Sequence, residues 1–197
     1  DMRTFIENSL VLATHNKGKV EELSNLFKNY NFNIKSSSDF NLKEPEETEK
    51  TFIGNARIKA HFTSKKTGLP ALADDSGIEV ESLNGAPGVF TADWATTNNG
   101  RDFNQAMEKL WIAVKKTKSC PPYDAQFSCT LVLAWPDGHD EIFQGKIKGQ
   151  LVWPIRGLNG HGFDPMFKPH NYKQTFGEMD RWEKNEISHR GLAFTKL

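Results

Sequence analysis

Asp74-Asp75-Ser76-Gly77 stands directly after the apolar run at residues 71–73. Side chains alternate along a strand, so two adjacent carboxylates cannot both point the same way. One is then structural while the other faces a cleft, where a carboxylate can hold Mg²⁺, take a proton from water, or do both. Asp-Ser-Gly is equally ordinary material for a plain turn. Thr14-His15-Asn16-Lys17-Gly18-Lys19 lies between an apolar run and a helical pattern. The unpaired N–H groups of a helix N-terminus carry partial positive charge and bind phosphate. Gly18 allows close approach, and Lys17 and Lys19 add charge; a helix cap followed by solvated lysines is the plainer account. The run is not a P-loop, because GxxxxGK[ST] is absent.

Three further clusters have chemistry available to them. Glu44, Glu46, Glu47 and Glu49 crowd the approach to a second helix. They favour the helix dipole, or one of them joins Asp75 on a metal ion. Gly160-His161-Gly162-Phe163-Asp164-Pro165 sets glycines beside rings. Such a loop lets a planar base lie close to backbone with His161 or Phe163 stacked on it, or it is a tight turn with a core Phe. Ser188-His189-Arg190 puts two hydrogen-bonding side chains side by side, as donors to a carbonyl or as exposed helical surface.

The elements that must position these groups follow from periodicity. Residues 10–13 read as a buried strand. Val20, Leu23, Phe27 and Tyr30 then mark one face of a helix opening at Lys17. Residues 32–34 begin the next strand, and a polar loop spans 36–50. A second helix is predicted over 51–66, with Phe52, Ala56 and Ala60 at four-residue intervals and Gly68 as its stop. A short strand at 71–73 ends in the Asp pair, and 78–80 is extended again. Phe103, Ala106, Met107, Leu110 and Val114 make an amphipathic helix. Residues 125–135 alternate with period two. Pro136-Asp137-Gly138 then turns the chain back into 141–148 as a hairpin. Asp180 and Glu183 have capping-box spacing, which opens a final helix carrying Lys184 and running past Ser188-His189-Arg190. The class is α/β with a mixed sheet, in one domain over 1–197.

Composition sets the outer bounds. Lys plus Arg number 25 and Asp plus Glu number 25. With net charge zero, no bulk field draws nucleic acid or an anionic membrane, and a phosphate ligand has to be caught by a local cluster. Cys120 and Cys129 do not make a disulfide framework; Cys129 falls in a strand pattern as a small buried thiol. The first ten residues show no basic region followed by a long apolar run, so no signal peptide is expected. No apolar stretch approaches the ~20 residues needed to cross a bilayer. A cytoplasmic protein is expected.

Taken in order, these segments resemble the inosine triphosphate pyrophosphatase family, which clears non-standard purine triphosphates. The matching pieces are residues 14–19, Glu46-Glu47-Thr48 before Thr51-Phe52-Ile53, Asn55-Ala56, Ala73-Asp74-Asp75-Ser76-Gly77, Gly85-Ala86-Pro87-Gly88, Gly162-Phe163-Asp164-Pro165 and Ser188-His189-Arg190. They cover residues 11–193. The resemblance implies an elongated, two-lobed α/β fold about a long mixed sheet with a central substrate cleft, and a homodimer. It implies that inosine and xanthosine triphosphates and dITP go to monophosphate and pyrophosphate with Mg²⁺. Thr14, His15, Asn16, Lys17, Gly18 and Lys19 would grip the triphosphate, Asn16 and Lys19 above all. Asp75 would accept the proton of the attacking water and share Mg²⁺ with Glu46, Glu47 being the fallback. Ser76 would contact substrate, and His161, Gly162, Phe163, Asp164, Lys184, His189 and Arg190 would surround the base and neighbouring phosphate.

Three positions depart from the family pattern. Gly54 stands where many members carry Glu, Asp93 where Arg is common, and His161 where a Phe ring is expected. A non-catalytic nucleotide-binding protein on the same scaffold, or an enzyme for modified pyrimidine nucleotides, are the competing readings.

Overall fold

The computed structural model describes residues 2–197; Asp1, where the N-terminal reading begins, lies outside the described residues. The strands are β1 (Ser9–Leu12), β2 (Asn33–Ser36), β3 (Ala71–Val80), β4 (Thr96–Thr97), β5 (Gly100–Arg101), β6 (Tyr123–Ala134), β7 (Asp140–Leu151) and β8 (Phe167–Pro169). The helices are α1 (Lys17–Leu26), α2 (Phe52–Thr67), α3 (Phe103–Lys116), α4 (Arg181–Ile187) and α5 (His189–Thr195). Six strands form one sheet in the order β2-β1-β3-β6-β7-β8, and β4 and β5 make a separate hairpin. β1 pairs parallel with β2 and β3, while β7 and β8 run antiparallel. The expected α/β class with a mixed sheet is what the chain adopts. No helix among the described residues is long and apolar enough to cross a membrane.

Two compact units divide the chain, one holding residues 1–75, 129–145 and 193–197, the other 76–128 and 146–192. In the first unit, strand alternation sorts side chains onto two faces. Leu10, Leu12, Leu72, Cys129, Leu131 and Leu133 pack with Leu23 and Phe27 of the α1 segment. Val11, Ala13, Ala71, Ala73, Val132 and Ala134 pack instead with Ala56 and Ala60 of α2. The run of alanines on that second face lets α2 approach the strands closely. Residues 129–134 of β6 are therefore buried on both faces. Thr51 caps α2 by accepting from Gly54 N–H, and Gly68 ends it with φ 71°, as its position after the apolar stripe predicts.

The second unit has its own core, in which Ile78 and Val80 of β3 meet Ala106, Met107, Leu110 and Val114 of α3. Phe127, Phe163, Phe167 and Phe176 fill the remainder. Asp102 caps α3 by accepting from Gln105 N–H at 3.0 Å.

Three elements differ from expectation. β3 does not stop at the Asp pair but runs unbroken through Asp74-Asp75-Ser76-Gly77. Turn propensity at those residues yields to pairing and burial on a central strand. α1 ends at Leu26, with the Phe27 N–H closing onto Leu23 C=O, and Tyr30 is left 54% exposed. The predicted final helix is two helices, broken at Ser188, whose backbone is extended. Ser188 Oγ accepts from Gly191 N–H at 3.0 Å, which starts α5 afresh.

Candidate functional site

In the first unit, the parity of β3 gives Asp74 and Asp75 different neighbours. Asp74 shares a face with Leu72 and points towards α1. It is fully buried, and its Oδ1 lies 2.6 Å from Lys19 Nζ. Cys129 donates its thiol to Oδ2 at 2.8 Å. Asp75 shares a face with Ala71 and Ala73, on the side of α2, and is 5% exposed. Its Oδ2 is buried without a hydrogen-bond partner. Burial pushes the Asp75 carboxyl up to about 7, against the pull of the Lys59 and Lys19 ammonium groups and with the push of Glu47 and Asp74. A carboxyl poised there is half ionised at neutral pH and can exchange a proton with water.

Lys59 was missed in the sequence. It lies three residues after Ala56 in α2 and is 5% exposed. Its Nζ donates to the Asp74 carbonyl and pairs with Glu47 at 2.8 Å. Burial alone would lower its pKa, but Asp75, Glu47 and Asp74 together outweigh that and raise it, so the ammonium stays charged. A lysine on the same stripe as Ala56 and Ala60 was the signal available.

The Thr14–Lys19 segment forms the head of α1. Thr14 Oγ1 accepts from Asn16 N–H at 3.1 Å, and Asn16 Oδ1 accepts from Lys19 N–H at 3.2 Å. His15 Nε2 contacts the Leu42 carbonyl at 2.8 Å, which calls for a proton on that nitrogen. The N–H groups of Lys17 and Gly18 open the first turn, which holds no acidic side chain. The segment is thus both a cap and an electropositive helix end with Lys19 beside it.

The acidic loop resolves unevenly. Glu47 belongs to the group around Asp75 through Lys59, and both it and Glu46 are exposed. Asn55 grips the loop twice: its Oδ1 accepts from Glu49 N–H at 2.9 Å and its Nδ2 donates to Glu49 C=O at 3.2 Å. A Cβ at Gly54 would stand 2.7 Å from Glu49 Cβ. The space of a side chain at 54 is therefore already filled by Glu49.

In the second unit, Arg190 donates to Ser76 Oγ at 2.9 Å and is 1% exposed. The His189 ring stacks on Phe127 with centroids 4.7 Å apart and planes at 14°. Lys184 and Asp164 form a buried ion pair at 2.7 Å. Asp164 Oδ2 also accepts from His161 N–H at 3.0 Å, which folds the Gly160–Asp164 loop onto its own carboxylate. Phe163 is 1% exposed and meets Phe103 edge-on at 5.9 Å, so its ring is committed to the core. His161 is half-buried and borders a cavity of about 750 Å³ that also holds Gly162, Arg101 and Asn159. Asp93 is exposed on a short 3₁₀ turn.

The ordered motifs have a counterpart in known proteins. The model of the Ham1 family matches residues 10–197. The chain belongs to the Ham1 family. Among its relatives, a dITP/XTP pyrophosphatase of Ruegeria pomeroyi is 58% identical, with 99% of this chain and 96% of the relative aligned. One of Agrobacterium fabrum, also a dITP/XTP pyrophosphatase, is 48% identical over 100% of this chain and 97% of its own. The fold matches a HAM1 protein from Coxiella burnetii with a TM-score of 0.87 and 35% identity over 96% of each chain. Membership in the Ham1 family upholds the likeness carried by the motifs.

Proposed function

We propose that this chain hydrolyses non-standard purine nucleoside triphosphates (dITP, ITP and XTP) to the monophosphate and pyrophosphate, with Mg²⁺. The observation that carries this reading is the α1 N-terminus with Lys19 ion-paired to Asp74, next in the chain to an Asp75 poised at about 7. The names of the relatives, matched over nearly their whole lengths, support it.

The N–H groups of Lys17 and Gly18 and the Lys19 ammonium hold the triphosphate. Water attacks the α-phosphorus; its proton passes to the Asp75 carboxylate as the new P–O bond forms and the bond to pyrophosphate breaks. Mg²⁺ fits the donors present. Asp75 and Glu47 offer hard oxygens, and Asp75 Oδ2 has no protein partner. Among the described residues no three His, Cys, Asp or Glu side chains make a ready cage. Mg²⁺ takes one or two protein carboxylates and completes its shell with water and phosphate. Glu46, first choice on sequence, is the alternative ligand. When bound, the metal neutralises charge on the phosphates and on the departing pyrophosphate.

Arg190 and His189 read the base. A donor from either meets the six-carbonyl of inosine or xanthosine but faces the amino group of adenosine, and a buried mismatch of that kind discriminates strongly. The same reading includes a homodimer working in the cytoplasm without nucleic-acid or membrane partners. The test is product analysis with dITP, XTP, ATP, GTP and a modified pyrimidine triphosphate, with and without Mg²⁺. Monophosphate and pyrophosphate, strongest with dITP and XTP, are expected. Tight binding without turnover would overturn the assignment in favour of a binding protein.

A further inference from the structure

His15 stands between the two residues that cap α1. Thr14 Oγ1 accepts from Asn16 N–H and Asn16 Oδ1 accepts from Lys19 N–H, so the turn at 14–16 directs the first N–H groups of the helix. The His15 side chain leaves this turn for a partner 27 residues later in the chain: its Nε2 lies 2.8 Å from the Leu42 carbonyl. A carbonyl only accepts, so Nε2 carries a proton, and Nδ1 of the neutral ring is then an acceptor. Such a ring has no donor left for a phosphate oxygen. His15, expected to grip the triphosphate, is engaged elsewhere.

The loop it holds, 41–50, has no strand or helix of its own and presents Glu46 and Glu47. It is fastened at both feet. At the leading foot Asn41 lies in the left-handed region with φ 52°, and His15 takes the Leu42 carbonyl. At the trailing foot Asn55 takes both backbone groups of Glu49. Between them Glu47 pairs with Lys59 Nζ at 2.8 Å. Of these fastenings, the one from His15 comes out of the phosphate-binding segment.

We infer that His15 is a positioning residue that couples the two halves of the site. It ties the head of α1, which takes phosphate, to the loop that presents Glu47, so that phosphate and metal strengthen each other's hold. A loop held at both feet has fewer conformations to lose when its middle is fixed. A phosphate on the N–H groups of Lys17 and Gly18 steadies the 14–16 turn, and His15 passes that order to Leu42. A cation held by Glu47 acts in the reverse direction with the same strength, because coupling between two binding sites is reciprocal. The inference rests on the pyrophosphatase reading for its metal and substrate, but the tether itself can be read without turnover.

The test compares the full chain with His15→Phe, which keeps a ring without a donor, and His15→Gln, whose amide nitrogen stands at the reach of Nε2. Trypsin cleavage at Lys43, exposed and next to Leu42, reads the tether in the absence of metal. Cleavage at Lys118, also exposed, is the internal control, and calorimetry sets a pyrophosphate concentration that saturates each chain. Pyrophosphate should slow cleavage at Lys43 about tenfold in the parent and in His15→Gln, and leave it unchanged in His15→Phe. The Mg²⁺ concentration for half-maximal dITP hydrolysis should rise about tenfold in His15→Phe and stay within about twofold of the parent in His15→Gln. If His15→Phe does not fold, His15→Asn takes its place, since its amide nitrogen stands where Nδ1 does and stops short of Leu42. No protection of Lys43 in the parent, full protection in His15→Phe, or a His15→Gln chain as uncoupled as His15→Phe would overturn the inference. If the parent fails to turn over dITP, the functional reading falls, and protection of Lys43 by pyrophosphate still decides the role of His15.

Discussion

Lys184 and Asp164 meet at 2.7 Å with side chains only 2% and 4% exposed, so the lysine expected to face a ligand is also the counter-charge of a buried acid. Asp164 in turn holds His161 N–H, and the pair therefore secures the loop on which the His161 ring rides.

Removal of one partner should expose that dependence. Lys184→Met leaves Asp164 buried and uncompensated, and a loss of about 3–5 kcal/mol in urea unfolding is expected. Lys184→Met combined with Asp164→Asn should recover part of it. A single variant as stable as the parent would show that the pair is not what holds the loop.

The Asp75 carboxyl gives a pH signature to stability. Its folded value of about 7 lies above the ordinary 3.8, so between those values the native chain holds a proton that the unfolded chain has released. Stability from this group is complete below the unfolded value and is lost as pH rises through the folded one. Without divalent metal, urea unfolding should therefore weaken from about pH 5 to about pH 8 more for the parent than for Asp75→Asn. The two profiles should diverge by roughly 2–4 kcal/mol. Parallel profiles would remove the shift. Asp75→Asn should also abolish turnover.

Gly77 sits against the 85–91 loop. A Cβ there would stand 2.3 Å from Gly88 O and 2.5 Å from Thr91 Oγ1. Thr91 Oγ1 both accepts from Ile78 N–H and donates to Gly88 O. Gly77→Ala should push this loop away at a cost of about 2–4 kcal/mol, read as a fall in Tm. An unshifted Tm would mean the loop is free to yield.

Asn55 clamps both backbone groups of Glu49 while only 2% exposed. Asn55→Ala should destabilise by about 1–3 kcal/mol and open the 41–50 loop to limited proteolysis. Cleavage no faster than in the parent would argue that Glu47 is placed by Lys59 alone.

Much of this frame was legible in the residues. The four-residue spacing of Phe52, Ala56 and Ala60 and the Gly68 stop describe α2 to within a residue, and the alternation at 125–135 with its Pro-Asp-Gly turn describes the β6–β7 hairpin. What escaped were features set by tertiary contact. Asp-Ser-Gly reads locally as a turn, and only flanking strands make it β3. Lys59 reads as helix surface until Glu47 and the Asp74 carbonyl meet its ammonium. Adjacent glutamates carry no local mark that separates Glu47 from Glu46. Cys129 reads as filler because the acid it donates to is 55 residues earlier.

The uninterrupted run of β3 acts as a ruler. Successive positions on a strand face opposite ways, so Asp74 meets Lys19 and Cys129 while Asp75 turns to the side of Lys59. Insertion or deletion of one residue within 71–73 would exchange the two acids between their neighbourhoods without altering a single side chain. The segment should therefore accept many substitutions among small apolar residues and no change of length.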